Sequence, residues 1–185
     1  MLSIILLGAT LAATAASAQN AAAAEFTLNS PDFSPSGRIA PEQACRGSGS
    51  VGSNLSPALG WRGAPPATRS FALTVFDADA PGGGFWHWVV FDIPSHATML
   101  AKGAGEASGR AMPAGSLQAR NDFGETGYGG PCPPPGDPPH HYRFTLYALD
   151  VAKLPVRAGT KPAAIAEALK AHTLARATLT GLYSR

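Results

Sequence analysis

Three stretches of the chain alternate strongly enough to predict strands. In residues 69–81, RSFALTVFDADAP, Phe71, Leu73 and Val75 fall on one face and Ala72, Thr74 and Phe76 on the other. Successive strand side chains point to opposite faces. Both faces are largely apolar, so this strand is predicted to be central and covered on both sides. Residues 85–94, FWHWVVFDIP, form a second central strand stopped by Pro94, and Gly82, Gly83 and Gly84 allow a short turn that pairs the two antiparallel. In residues 141–150, HYRFTLYALD, Tyr142, Phe144, Leu146 and Ala148 share a face. Residues 25–33 predict a weak edge strand and residues 176–183 a last strand. Residues 45–61, 95–116 and 116–130 are expected as loop. One helix is predicted over 159–175: Pro162 suits its first turn, Thr160 or Lys161 the cap, and Ile165, Leu169 and His172 one face. Strands with one late helix predict a mainly β fold with helical additions.

The beginning of the chain follows another pattern. MLSIILLGATLAATAASAQN is apolar and then small, and Ala16-Ser17-Ala18 makes an A-x-A site. This predicts a signal peptide over residues 1–18, a mobile mature terminus over 19–24 and a single domain over 25–185. The leader has no Lys or Arg before its apolar run, which leaves an uncleaved anchor as the alternative. So short a stretch, diluted by Ala and Thr, spans a bilayer poorly. No second long apolar run follows, so the mature chain is expected to be periplasmic or secreted, without a membrane span.

Composition narrows the picture further. The 185 residues carry a net charge of +2 with 14% charged residues and no basic block, so nucleic acid is not an expected partner. Gly 21 and Pro 17 accompany 45% hydrophobic residues, which suits a loop-rich β domain better than disorder. Cys45 and Cys132 permit a disulfide in an oxidising compartment, with two buried free thiols as the alternative. Their spacing fits neither zinc nor C-x-x-C redox chemistry. Gly47, Gly49 and Gly52 form a formal G-x-G-x-x-G, but no strand precedes it and no helix follows, so nucleotide binding is set aside.

Candidate chemistry lies where polar groups interrupt apolar walls. Asp77 and Asp79 share a face at the end of the first strand, His87 stands between Trp86 and Trp88, and His140 precedes Tyr142 by two residues. Neighbouring strands would bring Asp77, His87, His140 and Tyr142 to one sheet end, and buried acids and imidazoles are costly unless paired. Asp79, His141 and His172 are read as structural, with His172 a helix-dipole partner or core residue. Arg120 and Asp122 are read as a loop-pinning ion pair. G-x-S-x-G, S-x-x-K and H-E-x-x-H are absent. A metal site from His87, His140 and Asp77 has no diagnostic spacing, so no metal or cofactor is expected.

FDADAP, WHWVVFDIP, RNDFGETGYGGPCPPPGD and HHYRFTLYALD, in this order with GSNLSPALGW, resemble the phosphatidylethanolamine-binding protein family, in particular its bacterial Raf-kinase-inhibitor-like branch with periplasmic members. The resemblance runs from about Glu25 to the C-terminus. It implies a β-sandwich with a large central antiparallel sheet, a smaller second sheet and peripheral helices. It also implies a pocket at one sheet end for a small anion or phosphorylated head group. Motif by motif, Asp77, His87, His140 and Tyr142 would bind, both histidines as donors. Gly130 and the backbone of Cys132, Pro133 and Pro134 would form the floor, and Pro81, Phe85 and Trp86 the lip. Two departures stand out: Ala78 replaces a turn proline of the family pattern, and His141 an arginine. The function implied is a non-enzymatic periplasmic binding protein that modulates a partner protein, with a histidine-dependent hydrolase or phosphate-ester-processing enzyme as the alternative. The likeness also admits a homodimer.

Overall fold

The structure, a computed structural model, describes residues 24–47, 49–156 and 160–185. The predicted leader and residues 19–23 lie outside the described residues. In chain order the elements are β1 (Thr27–Asn29), β2 (Gly37–Arg38), a 3-10 turn (Pro41–Gln43), β3 (Arg46–Gly47), β4 (Ser50–Val51), β5 (Leu59–Arg62), β6 (Ser70–Asp77), β7 (Phe85–Pro94), β8 (Met99–Leu100), β9 (Leu117–Gln118), β10 (His140–Leu149), α1 (Pro162–His172) and β11 (Thr173–Tyr183). A six-stranded sheet runs β2-β11-β10-β6-β7-β9, a three-stranded sheet runs β1-β5-β8, and β3 and β4 form a small hairpin. The large sheet is antiparallel except at its edge, where β2 lies parallel to β11.

The doubly apolar pattern of β6 has a direct cause. On one side, Leu73, Val75, Trp88, Phe144 and Leu146 from the large sheet meet Leu28, Leu59, Trp61 and Leu100 from the small sheet. On the other, Ala72, Val89, Phe91 and Leu149 are covered by Leu154 and by Ile165 and Leu169 of α1. Full burial of one such aliphatic side chain contributes roughly 1.5–3 kcal/mol, so Ile165 and Leu169 are the main anchors of α1 on the sheet. The β6–β7 turn needs its glycines: Gly84 has φ +104°, and a Cβ there would strike the Phe76 ring at 2.1 Å.

Three expectations are corrected. Residues 45–61, 95–116 and 116–130 are not loop throughout: Leu59 and Trp61 are buried strand residues of β5, which joins β1 to β8, and β8 and β9 fall in the other two stretches. The helix stops at His172, and Thr173 passes straight into β11 opposite Leu149. Pairing along the whole of β10 outweighs the helical preference of a three-residue tail. His172 is not a core residue: its Nδ1 lies 3.0 Å from Asp150 Oδ1 at the surface. Arg120 and Asp122 do not pair: Arg120 donates to the Gly124 carbonyl, and Asp122 accepts from the Trp86 amide.

Candidate functional site

Register builds the first half of the site. Tyr142 of β10 lies opposite Asp77 of β6, which in turn lies opposite Phe85 of β7. His140, two residues earlier on β10, reaches the same end. Its Nδ1–H donates to Asp77 Oδ2 over 2.7 Å, with His140 6% and Asp77 2% exposed. The other Asp77 oxygen accepts from the Asp79 amide and closes the turn. Asp79 in turn accepts from the amide and ring of the exposed His141, and those bonds hold its carboxyl below the ordinary range. Burial opposes charge on His140, but the Asp77 carboxylate outweighs it, so the imidazole is held above its ordinary pKa. Its Nε2 lies 3.6 Å from Asp137 Oδ2.

His87 is placed by other means. The β6–β7 register pairs Val75 with Trp88 and Phe76 with Trp86, so His87 is the extra residue of a bulge, a device that re-aims a side chain. It is clamped by two bonds: its carbonyl accepts from the Gly129 amide, and its Nδ1–H donates to the Gly129 carbonyl, both over 2.8 Å. Burial is the largest influence on this ring and keeps its pKa below the ordinary value, with the Gly129 bond offsetting only part. The two histidines are therefore unlike: His140 favours the cation, His87 the neutral ring.

The floor is fastened from a distance. Cys45 and Cys132 form a disulfide across 87 residues, the Cys45 amide donates to the Pro131 carbonyl, and Asn54 Oδ1 accepts from the Gly130 amide over 2.9 Å. A Cβ on Gly130 would lie 2.3 Å from the Gln43 oxygen, so only glycine permits this approach. The result is a cavity of about 210 Å³ lined by Asp77, Ala80, Pro81, Phe85, His87, Phe123, Cys132, Pro133, Pro134 and His140.

Most sequence-predicted residues meet at this cavity, and three are placed behind it. Gly130 backs the floor, with its amide already taken. Trp86 turns to the opposite sheet face and packs on Phe76, ring centroids 4.5 Å apart. Tyr142 is fully buried beneath, its ring 5.1 Å from that of His87, and its hydroxyl has no hydrogen-bond partner. Burial pushes that phenol far up, with Asp77 adding to the effect. Ala80, Asn54 and Phe123 were not anticipated. Phe123 is positioned when the Asp122 carboxylate and amide clamp Trp86, and its ring then meets Phe85 at 4.6 Å and His87 at 5.5 Å. The only prior sign was an aromatic residue inside RNDFG. Among the described residues no three His, Cys, Asp or Glu side chains converge as metal ligands, and no helix is long and apolar enough to cross a membrane.

Comparison with known proteins agrees with this architecture. A family model described as phosphatidylethanolamine-binding protein matches residues 29–184. The UPF0098 protein YbcL of Escherichia coli (strain K12) is 43% identical over 165 residues, covering 89% of this chain and 90% of that protein. The crystal structure of E. coli YbcL, described as a new member of the mammalian PEBP family, aligns with a TM-score of 0.85 at 43% identity over 88% of this chain and 99% of its own. The putative lipoprotein LppC of Mycobacterium tuberculosis (strain ATCC 25618 / H37Rv) is 37% identical over 162 residues, covering 88% of this chain and 74% of that protein. With a family model spanning nearly all of the described chain and a solved relative of the same fold, the chain belongs to the phosphatidylethanolamine-binding protein family.

Proposed function

We propose that the protein is a non-enzymatic, extracytoplasmic binding protein whose cavity takes a small anion or phosphorylated head group. The observation that carries this reading is the buried His140–Asp77 pair opening onto the cavity. With Nδ1–H engaged by Asp77, a protonated His140 offers Nε2–H to an incoming oxygen that displaces the Asp137 carboxylate 3.6 Å away, and a charge-assisted bond of this kind contributes roughly 1.5–3 kcal/mol. Pro81, Phe85 and Phe123 make an apolar surround that strengthens such a bond. A cavity of about 210 Å³ lies below the roughly 300–1,000 Å³ of pockets for drug-sized molecules, so it suits a head group rather than a whole lipid. Pro133 and Pro134 stiffen the floor and limit the ordering cost of binding.

Binding without turnover is favoured because no Ser, Thr, Lys or free Cys lines the cavity, and Cys132 is held in the disulfide. The disulfide, the A-x-A leader and the likeness to a lipoprotein-named relative support a location outside the cytoplasm. Modulation of a partner protein would follow from occupancy of this cavity, whose rim carries the 43% exposed Phe123.

The test is titration with inorganic phosphate near pH ~6, a pH at which an imidazole of ordinary pKa is largely protonated, by calorimetry, with His140→Gln alongside and a long incubation with phosphomonoesters. Saturable binding, weakened about tenfold or more in the variant, without released product, is expected. Sustained turnover that is lost in the variant would establish the enzymatic reading instead. Binding unchanged by the substitution would move the site elsewhere.

A further inference from the structure

We propose that the cavity selects an oxyanion that carries a proton, such as a phosphate monoester in its monoanionic form. His140 would donate to one of its oxygens, and the bare Nε2 of His87 would accept from its hydroxyl. This rests on the anion-binding reading above and specifies the chemistry of the guest.

The donor inventory of the wall leads here. A carbonyl only accepts, so the 2.8 Å contact to Gly129 places the His87 proton on Nδ1. The neutral ring then presents a lone pair at Nε2, and burial disfavours adding a second proton. The amides of Gly129 and Gly130 are spent on the His87 carbonyl and on Asn54. Pro131, Pro133 and Pro134 have no N–H to give. The Tyr142 hydroxyl is buried behind the lining, against the Asp77 carboxylate and the Cys132 backbone. That leaves His140 as the side-chain donor of the lining, facing Asp77, Asp79 and Asp137.

Charge points the same way. His87 faces the Asp77 and Asp122 carboxylates, the Gly129 and Gly130 carbonyls and the Tyr142 ring. No Lys or Arg lines the cavity. The cation of the lining, His140, is already matched by Asp77, and the Arg185 guanidinium behind the floor donates to the Pro133 carbonyl over 2.6 Å. A dianion would therefore enter a site with no surplus positive charge and would direct an oxygen lone pair at the His87 lone pair. A monoanion bearing P–OH satisfies the donor and the acceptor together.

Ethyl phosphate and dimethyl phosphate test this on the intact protein. They are constitutional isomers of equal size, and at roughly pH 5.5 both are mainly monoanions, because a monoester loses its second proton near pH ~6. Only the monoester has a P–OH. We expect ethyl phosphate to bind about tenfold tighter or more at that pH, the effect of one good hydrogen bond. This advantage should shrink toward roughly pH 8 as the monoester becomes a dianion. Dimethyl phosphate keeps its charge, so its own decline over the same range reports His140 alone. Equal affinities at the lower pH, a diester preference, or an advantage that persists on deprotonation would overturn the inference and leave an anion pocket standing. Failure of both isomers to bind at about 50 mM, far weaker than millimolar affinity, would overturn the anion pocket and this inference with it.

Discussion

The two halves of the cavity are held by different kinds of structure. Asp77 and His140 stand on neighbouring strands in regular register, and a carboxylate is the partner of the ring. His87 stands on a bulge against a proline-rich segment tied down by a disulfide and by Asn54, and a carbonyl is the partner of its ring. A full negative charge beside an imidazole favours its cation. A neutral acceptor fixes the tautomer but does not repay burial of a charge. Two histidines of one cavity thus differ in protonation preference, through burial and through the atom each one touches.

The comparison can be broken most severely on the loop side. Replacing both cysteines, Cys45→Ser with Cys132→Ser, releases a loop closed across a separation of 87 residues and should cost about 4.5 kcal/mol in denaturant unfolding, by the chain-entropy account. His140 should keep its raised pKa in the folded double variant, because Asp77 and β10 are untouched.

Asp77→Asn attacks the strand side. It should cost about 1.5–3 kcal/mol near pH ~5.5 by weakening a bond to a charged group. The pH dependence follows from linkage. The folded state binds the His140 proton more tightly than the unfolded state does, so this contribution is complete below about pH 6.5, the unfolded imidazole value, and is lost as pH rises through the higher folded midpoint. The stability gap between wild type and Asp77→Asn should therefore narrow as pH rises. His87 acts in the opposite sense: its folded pKa is lowered, so its burial weighs against folding as pH falls below about 6.5.

A smaller effect should come from Asn54→Gly. It removes the acceptor for the Gly130 and Arg46 amides, and it suits the φ of 55° at this position. A loss of about 1–2 kcal/mol is expected, with weakened phosphate binding as the loop-side signature.

Much of the strand side was legible in the sequence, because alternation alone assigns faces. Tyr142, Phe144, Leu146 and Ala148 are all fully buried, and Asp77 and His140 come from spacing within β6 and β10. The loop side was legible only as separate pieces. The even number of cysteines permits the Cys45–Cys132 bridge without requiring it, and no local signal says that Asn54 reaches Gly130 across 76 positions. Nor does any signal say that His87 falls on a bulge, or that Asp122 swings Phe123 into the wall. Leu59 and Trp61 were hidden because β5 is four residues long and its pairing partners, β1 and β8, are distant in sequence. The same distance explains why the sequence presents both imidazoles as equivalent donors: the Gly129 carbonyl that accepts from His87 Nδ1–H is 42 residues away.

The most direct test of the account is a nitrogen-detected NMR titration of the two rings in the ligand-free protein. It predicts that His140 takes up its proton with a midpoint above about 6.5. It also predicts that His87 stays neutral there, protonated at Nδ1 and bare at Nε2. Both rings charging together near the ordinary imidazole value, or a His87 proton found on Nε2 in the neutral ring, would contradict it.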